Sequence, residues 1–258
     1  MRLDLYLFEN GFAKSRSFAK TLVDEGYVTV NGKHIRKPSF DVPKEANGEV
    51  TGKPDEFVSR GGVKLSAAIT GFSVDVKDKL CVDIGASTGG FTDCLLRNGA
   101  KKVFAVDCGS GQLAEELKSD ARVVSIENFN ARELSEATLG TLCDIAVCDV
   151  SFISQTLIHP AVNGILKDTG VFISLIKPQF ECGRDGTGKG GIVKSDEVRI
   201  DAVRQVISSA ENNGLGCTGL LKSPIYGGDG NTEYLMICEK DTPRKVGDAK
   251  INEIIKTK

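Results

Sequence analysis

The sequence is poor in the residues that build metal centres. It has two histidines, His34 and His159, and none of its eight cysteines stands in a C-x-x-C pair. Zinc sites draw on such sets, so a zinc-binding module finds little support. The cysteines, at 81, 94, 108, 143, 148, 182, 217 and 238, are scattered through apolar runs such as LCVDI and YLMIC. They read as buried thiols in a reducing compartment rather than as a disulfide scaffold. Long hydrophobic runs are missing too: apolar stretches such as 171–176 fall far short of the roughly 18–20 residues that cross a bilayer. The N-terminal MRLDLYLFENGF carries acids at Asp4 and Glu9 and has no apolar run or small-residue cleavage site. No signal peptide is expected there, and a cytoplasmic location is. What remains is 258 residues, 40% hydrophobic and 26% charged, an ordinary globular composition that excludes wholesale disorder, collagen-like repeats and coiled coil. The length suits one full domain plus a smaller one.

A net charge of −2 hides an asymmetry. Between residues 10 and 40 stand Lys14, Arg16, Lys20, Lys33, Arg36 and Lys37, against only Asp24 and Glu25. LDLYLF and SFAKTLV have apolar residues at helical spacing, with Ser15 placed to cap the second helix. YVTVNGKHI then reads as a hairpin, because Asn31-Gly32 is the pair a two-residue turn with two positive φ angles prefers. The segment RLDLYLFENGFAKSRSFAKTLVDEGYVTVNGKHIRKPS resembles the S4 RNA-binding domain over nearly its whole length. The resemblance implies RNA binding, with the second helix presenting Lys14, Arg16 and Lys20 to phosphates. Lys33, Arg36, Lys37 and Arg60 complete the candidate RNA-binding set. Charge alone would equally describe a solvated face. From 41 to 55 the text DVPKEANGEVTGKPD reads as a loop with one strand around 49–51 or as a linker. We place the smaller domain at 1–59, a second domain at 60–240 and a charged tail, frayed or a short helix, at 241–258.

After residue 79, strands and helices alternate. Strands are expected at 80–84, 102–107, 122–126, 144–149, 171–176, 216–222 and 233–238, and helices near 90–98, 111–119, 132–138, 160–167 and 196–212. The last is the clearest: Ser195 is an N-cap, Asp196 and Glu197 suit the positive end, apolar residues recur at helical spacing and Gly214 closes it. Such alternation predicts a Rossmann-like α/β domain with a mainly parallel seven-stranded sheet, binding ligands beyond the C-terminal strand ends.

The first strand end reads VDIGASTGGF, a glycine turn opening a helix where backbone amides approach a ligand closely. The dinucleotide fingerprint GxGxxG is absent. Asp107, at the end of the second strand, is placed to hold ribose hydroxyls, and Asp83 is unsuited to phosphate. Together they fit a nucleoside cofactor with an amino-acid end and no pyrophosphate, which is S-adenosylmethionine. Singly, each aspartate is equally a strand-end cap. GRDGTGKGG at 183–191 nearly spells a phosphate-binding loop, but Gly190 stands where Ser or Thr should bind magnesium and no helix follows directly. A glycine-rich lid over the substrate is the better reading.

Lys64, Asp149, Lys177 and Glu233 stand at strand ends or element boundaries facing one edge of the sheet. Each alone could be a surface cap. Two lysines and two carboxylates beside a cofactor turn suit methylation of a ribose hydroxyl, where a proton is removed while the methyl donor is held in line. A lysine serves as that base only with its pKa lowered by burial or a neighbouring cation, here Lys64 and the cofactor's sulfonium; the carboxylates oppose this and would mainly orient. VSRGGVKL, DIGASTGGFTDCLL, DVSFIS, IKPQFE and the GKGGIV loop resemble the hemolysin-A (TlyA) family of ribosomal RNA 2′-O-methyltransferases, an S4 unit followed by an FtsJ-like domain, over residues 1 to 240. The resemblance implies a catalytic tetrad of Lys64, Asp149, Lys177 and Glu233. It implies cofactor contacts from Gly85, Ser87, Thr88, Gly89 and Asp107, with Asn130 added, and cytidine in ribosomal RNA as substrate. The short N-terminus implies modification of the large subunit, with modification of both subunits as the alternative.

Other chemistries fit less well. No [DN]PP[YF] segment of amino-methylating enzymes follows the fourth strand, and Cys148 alternates with Asp149, so it should face the core rather than act as a nucleophile. A non-catalytic RNA-binding assembly factor is the main alternative. A membrane-active cytolysin is disfavoured by the absence of a membrane span or basic amphipathic helix.

Overall fold

The computed structural model describes residues 1–13, 16–24, 26–43, 46–50, 57–183 and 186–257. The chain divides into two compact units between Glu56 and Phe57, three residues before the boundary expected from sequence.

The first unit begins with helices α1 (Leu3–Glu9) and α2 (Arg16–Asp24). Strands β1 (Val28–Val30), β2 (Lys33–His34) and β3 (Gly48–Val50) follow in the order β2-β1-β3. Asn31 and Gly32, at φ 51° and 74°, make the tight turn that the NG pair predicts. Leu3 and Leu7 of α1 pack with Ala19, Leu22 and Val23 of α2 onto Val28 and Val30. Lys14 and the expected cap Ser15 lie outside the described residues.

The second unit carries α3 (Gly61–Phe72), β4 (Leu80–Ile84), α4 (Gly90–Arg97), β5 (Lys102–Val106), α5 (Glu115–Lys118), β6 (Val123–Ile126), α6 (Glu136–Leu139) and β7 (Cys143–Cys148). It continues with α7 (His159–Ile165), β8 (Leu166–Ile176), α8 (Pro178–Glu181), α9 (Asp196–Asn212), β9 (Leu215–Lys222), β10 (Tyr234–Lys240) and α10 (Asp248–Lys256). The seven strands run in the order β6-β5-β4-β7-β8-β10-β9, with β10 antiparallel to both its neighbours. Chain direction away from β4 reverses between β4 and β7, which puts the topological switch point, and the crevice for a ligand, beyond Ile84 and Cys148.

Alternation along the strands builds two layers. Ile145 and Val147 face the layer of α3, α4 and α5, whereas Ala146 and Cys148 face that of α7, α9 and α10. Cys148 is 1% exposed, and burial pushes its thiol far up, which removes it as a nucleophile. The helix α9 starts on the Ser195 cap, whose Oγ accepts from the Val198 amide, as expected. Elsewhere the sequence expectations need correction. The helix expected at 111–119 shortens to α5, and that at 132–138 becomes a single 3₁₀ turn at Ala131–Glu133 followed by α6. The strand β8 starts five residues early because Leu166 pairs with Cys143. Of the two alternatives for the C-terminal tail the structure takes the short helix, α10, whose Ile251 and Ile255 are buried in the same core as α9. Among the described residues no helix is long and apolar enough to cross a membrane.

Candidate active site

The site grows from three strand ends. After β4, Gly85 turns the chain at φ 85°; a Cβ there would lie 2.7 Å from the Asp149 carbonyl oxygen, so only glycine admits the two loops so close together. Ser87 continues the turn at φ 48°, and its amide donates to Asp107 Oδ2 at 2.7 Å. The Gly109 amide donates to Asp107 Oδ1, also at 2.7 Å, so both oxygens of this carboxylate are fixed by backbone while each retains a free lone pair. Asn130 is held by the Arg132 amide and by Glu133. A cleft of about 370 Å³ opens here, lined by Gly85, Ser87, Asp107, Phe129, Asn130, Ile153 and Ile158, and reaching Asp149 and Ser151.

Two of the expected cofactor contacts lie elsewhere. Asp83 does not line the cleft: strand alternation turns it under α4, where it is fully buried and its Oδ2 accepts from Thr92 Oγ1 at 2.7 Å. Burial pushes its carboxyl up to about 7, against the pull of the Thr92 hydrogen bond. Gly89 answers to packing, since a Cβ at its φ of 99° would lie 2.2 Å from Leu117 Cδ1.

A second cleft, of about 160 Å³, adjoins the first through Gly85, Ser87, Asp149 and Ser151. It adds Thr88, Gly61 and Lys177. Lys177 follows β8 and its Nζ lies 2.6 Å from Asp149 Oδ1 and donates to Ser151 Oγ at 2.8 Å. Its side chain is 11% exposed. On the next strand, Tyr234 pairs with Ile176, which brings Glu233 to the level of Lys177. Glu233 Oε2 accepts from Lys64 Nζ at 2.6 Å, with both side chains buried.

The four residues therefore form two ion pairs rather than one open cluster. The charge of Lys64 is matched by Glu233, so it is not the bare cation that the sequence reading set beside Lys177. Lys64 rides on α3, an element that reading did not foresee. Gly90 admits this helix: a Cβ there would lie 2.2 Å from Ser59 Oγ. Arg60 opens α3 and donates to the Tyr226 carbonyl at 2.9 Å.

Sequence reasoning missed Ser151 and Phe152. Both lie in the DVSFIS segment it singled out, but nothing in a linear pattern links Ser151 to a lysine 26 positions on. Phe152, at φ 64° and 90% exposed, stands at the rim with its ring 5.1 Å from that of Phe180. The loop at 183–191, expected as a lid, is tied down on its C-terminal side: Asn231, itself buried, accepts from the Val193 amide and donates to the Gly191 carbonyl. Arg184 and Asp185 in it lie outside the described residues. Among the described residues no group of three or more His, Cys, Asp or Glu side chains could hold a metal ion.

In the first unit, Arg16, Lys20, Lys33, Arg36 and Lys37 are all exposed. Arg16 shares Asp4 with Arg2, at 3.3 and 3.0 Å, and the Arg2 hydrogen bond holds the nearly buried Asp4 carboxyl down at about 2.

Comparison with known proteins identifies the family. Residues 57–240 match the FtsJ-like methyltransferase family and residues 1–46 the S4 domain. The chain is 43% identical to hemolysin A of Brachyspira hyodysenteriae over 236 residues, covering 91% of this chain and 98% of that one. It is 39% identical to the 16S/23S rRNA (cytidine-2′-O)-methyltransferase TlyA of Mycobacterium tuberculosis over 244 residues, covering 94% and 91%. A solved structure from Streptococcus thermophilus superposes with a TM-score of 0.79 at 40% identity, over 99% of this chain and 94% of that one. The fold alone is shared with the Methanococcus jannaschii fibrillarin pre-rRNA processing protein, at a TM-score of 0.54, 16% identity and coverage of 71% and 77%. The chain thus belongs to the FtsJ-like methyltransferases, with an S4 domain preceding the catalytic unit.

Proposed function

We propose that this protein transfers a methyl group from S-adenosylmethionine to the ribose 2′-oxygen of a cytidine in ribosomal RNA, binding that RNA through its S4 unit. The larger cleft suits the cofactor by the chemistry of its lining. Asp107 offers two fixed oxygens to a ribose diol, and Phe129, Ile153 and Ile158 form an apolar slot for a flat ring. Gly85 keeps the backbone low where the cleft turns towards Lys177. S-adenosylmethionine, when bound, supplies an electrophilic methyl group on a sulfonium that leaves as a neutral thioether.

The observation that carries the reading is Lys177 Nζ, which lines the smaller cleft and is held by Asp149 and Ser151, two residues that line both clefts. As a neutral amine it takes the proton of the 2′-hydroxyl, and Asp149 stabilises the resulting ammonium. Lys64 and Glu233 are a buried pair one strand away, and they hold α3 against the start of β10. The roles of Gly85, Ser87, Thr88, Asp107 and Asn130 towards the cofactor, and of the exposed basic residues of the first unit towards phosphates, are part of the same proposal.

Lys177→Ala tests it. Methyl transfer to ribosomal RNA should fall by at least about 100-fold, the usual worth of a general base, with S-adenosylmethionine still binding by calorimetry. Turnover close to that of the unmodified protein would remove Lys177 from the chemistry.

A further inference from the structure

Lys177 as base raises a geometric question that the ion pair with Asp149 leaves open. A neutral amine has two N–H bonds and one lone pair on a tetrahedral nitrogen that spins freely about its Cε–Nζ bond. The ion pair with Asp149, 2.6 Å from Nζ, leaves the lone pair on a cone of directions. A second fixed acceptor removes that freedom. The structure holds one: Ser151 Oγ, 2.8 Å from Nζ, lining both clefts.

We propose that Ser151 is a positioning residue for the reaction, aiming the Lys177 lone pair at the substrate hydroxyl. With one N–H turned towards the Asp149 carboxylate of the ion pair and the other donated to Ser151 Oγ, the lone pair is the only group of Nζ left to face the cleft. The ribose 2′-hydroxyl gives its proton to that lone pair, the O–H electron pair stays on oxygen and forms the bond to the incoming methyl carbon. The lysine ends as an ammonium donating to both partners.

The loop carrying Ser151 is built to hold this position. Three residues on, Ser154 Oγ donates to Glu181 Oε2 at 2.5 Å, and the Gln155 amide donates to Glu181 Oε1 at 2.9 Å. Glu181 is 7% exposed and stands at the end of α8, which begins directly after Lys177. One buried carboxylate therefore fixes the Ser151 loop to the helix that directly follows the base. At the other end of the loop, the Asp149 amide donates to the Ile84 carbonyl at 3.0 Å.

The inference rests on the assignment of Lys177 as base, and the test separates the two. Ser151→Ala, Ser151→Thr, Lys177→Ala and the double variant Lys177→Ala/Ser151→Ala are compared in single-turnover methyl transfer to ribosomal RNA, with cofactor binding measured alongside. Ser151→Ala should lower kcat by about 10- to 100-fold, as a small misplacement of a reacting group does, with KM for RNA and Kd for S-adenosylmethionine within about two-fold. Ser151→Thr, which restores the hydroxyl, should recover most of the rate. The double variant should be no slower than Lys177→Ala, because Ser151 acts through the lysine. An unchanged kcat in Ser151→Ala, a loss that appears in KM instead, or a further multiplicative loss in the double variant would each overturn the role of Ser151 with Lys177 intact as base. Full turnover in Lys177→Ala would overturn the base assignment itself.

Discussion

Lys64 and Glu233 lie 169 positions apart in the chain and 2.6 Å apart in space, joining α3 to the start of β10 in a region closed to solvent. Removing one partner strands a buried charge. Lys64→Ala or Glu233→Ala should each cost about 3–5 kcal/mol of stability, read from urea unfolding of the second unit. The double change to Met and Leu should recover most of that stability without restoring methyl transfer. Equal stability of the single variants and the unmodified protein would show that the pair is solvated in solution.

Asp83 makes folding pH-dependent in an unusual sense. Its carboxyl is pushed up to about 7 by burial, above its ordinary value of 3.8, so between these values folding takes up a proton. Stability from this group is complete below about pH 4, declines as pH rises towards 7 and is flat above. Asp83→Asn should abolish that decline and be the more stable protein at pH 8, as measured by thermal unfolding across pH. Parallel curves for the two proteins would contradict it.

Gly85→Ala tests the close approach of two strand ends. The substitution adds a Cβ 2.7 Å from the Asp149 carbonyl oxygen at a φ of 85°, and the backbone conformation alone costs about 1–2 kcal/mol. Asp149 must shift, and with it Lys177. S-adenosylmethionine affinity and kcat should both fall more than ten-fold in a protein that still folds.

RNA affinity should weaken with salt. If about 4–6 phosphates are contacted, log affinity against log salt should slope at about −3 to −4 for single-stranded RNA. Replacing one of the exposed Arg16, Lys20 or Arg36 by Ala should flatten that slope by about 0.7. A salt-insensitive affinity would remove these residues from the interface.

Much of this was legible in the sequence for identifiable reasons. The cap, charge bias and apolar period of α9 all agree, and the structure starts and ends that helix where they predict. The strand ends carrying Asp149, Lys177 and Glu233 stood out because charges interrupt apolar runs there. The helix α3 did not: it opens on two glycines without a side-chain cap, and it packs against both α4 and β10, so it has no polar face to give a period. Asp83 looked like a ligand contact because it precedes the glycine turn, yet its place in the strand alternation, with Cys81, already turned it under α4. In α10 the charges hid Ile251 and Ile255, whose i,i+4 spacing is that of a buried stripe. The pairing of Ser151 with Lys177 depends on two loops from different strands and has no linear trace.

The most direct measurement is transfer of a labelled methyl group from S-adenosylmethionine to separated ribosomal subunits that lack the modification, followed by alkaline hydrolysis. A methylated 2′-oxygen cannot attack the neighbouring phosphate, so the account predicts label in alkali-resistant dinucleotides, and the subunit that carries it identifies the substrate. Label confined to mononucleotides would mean methylation of a base and would contradict the account.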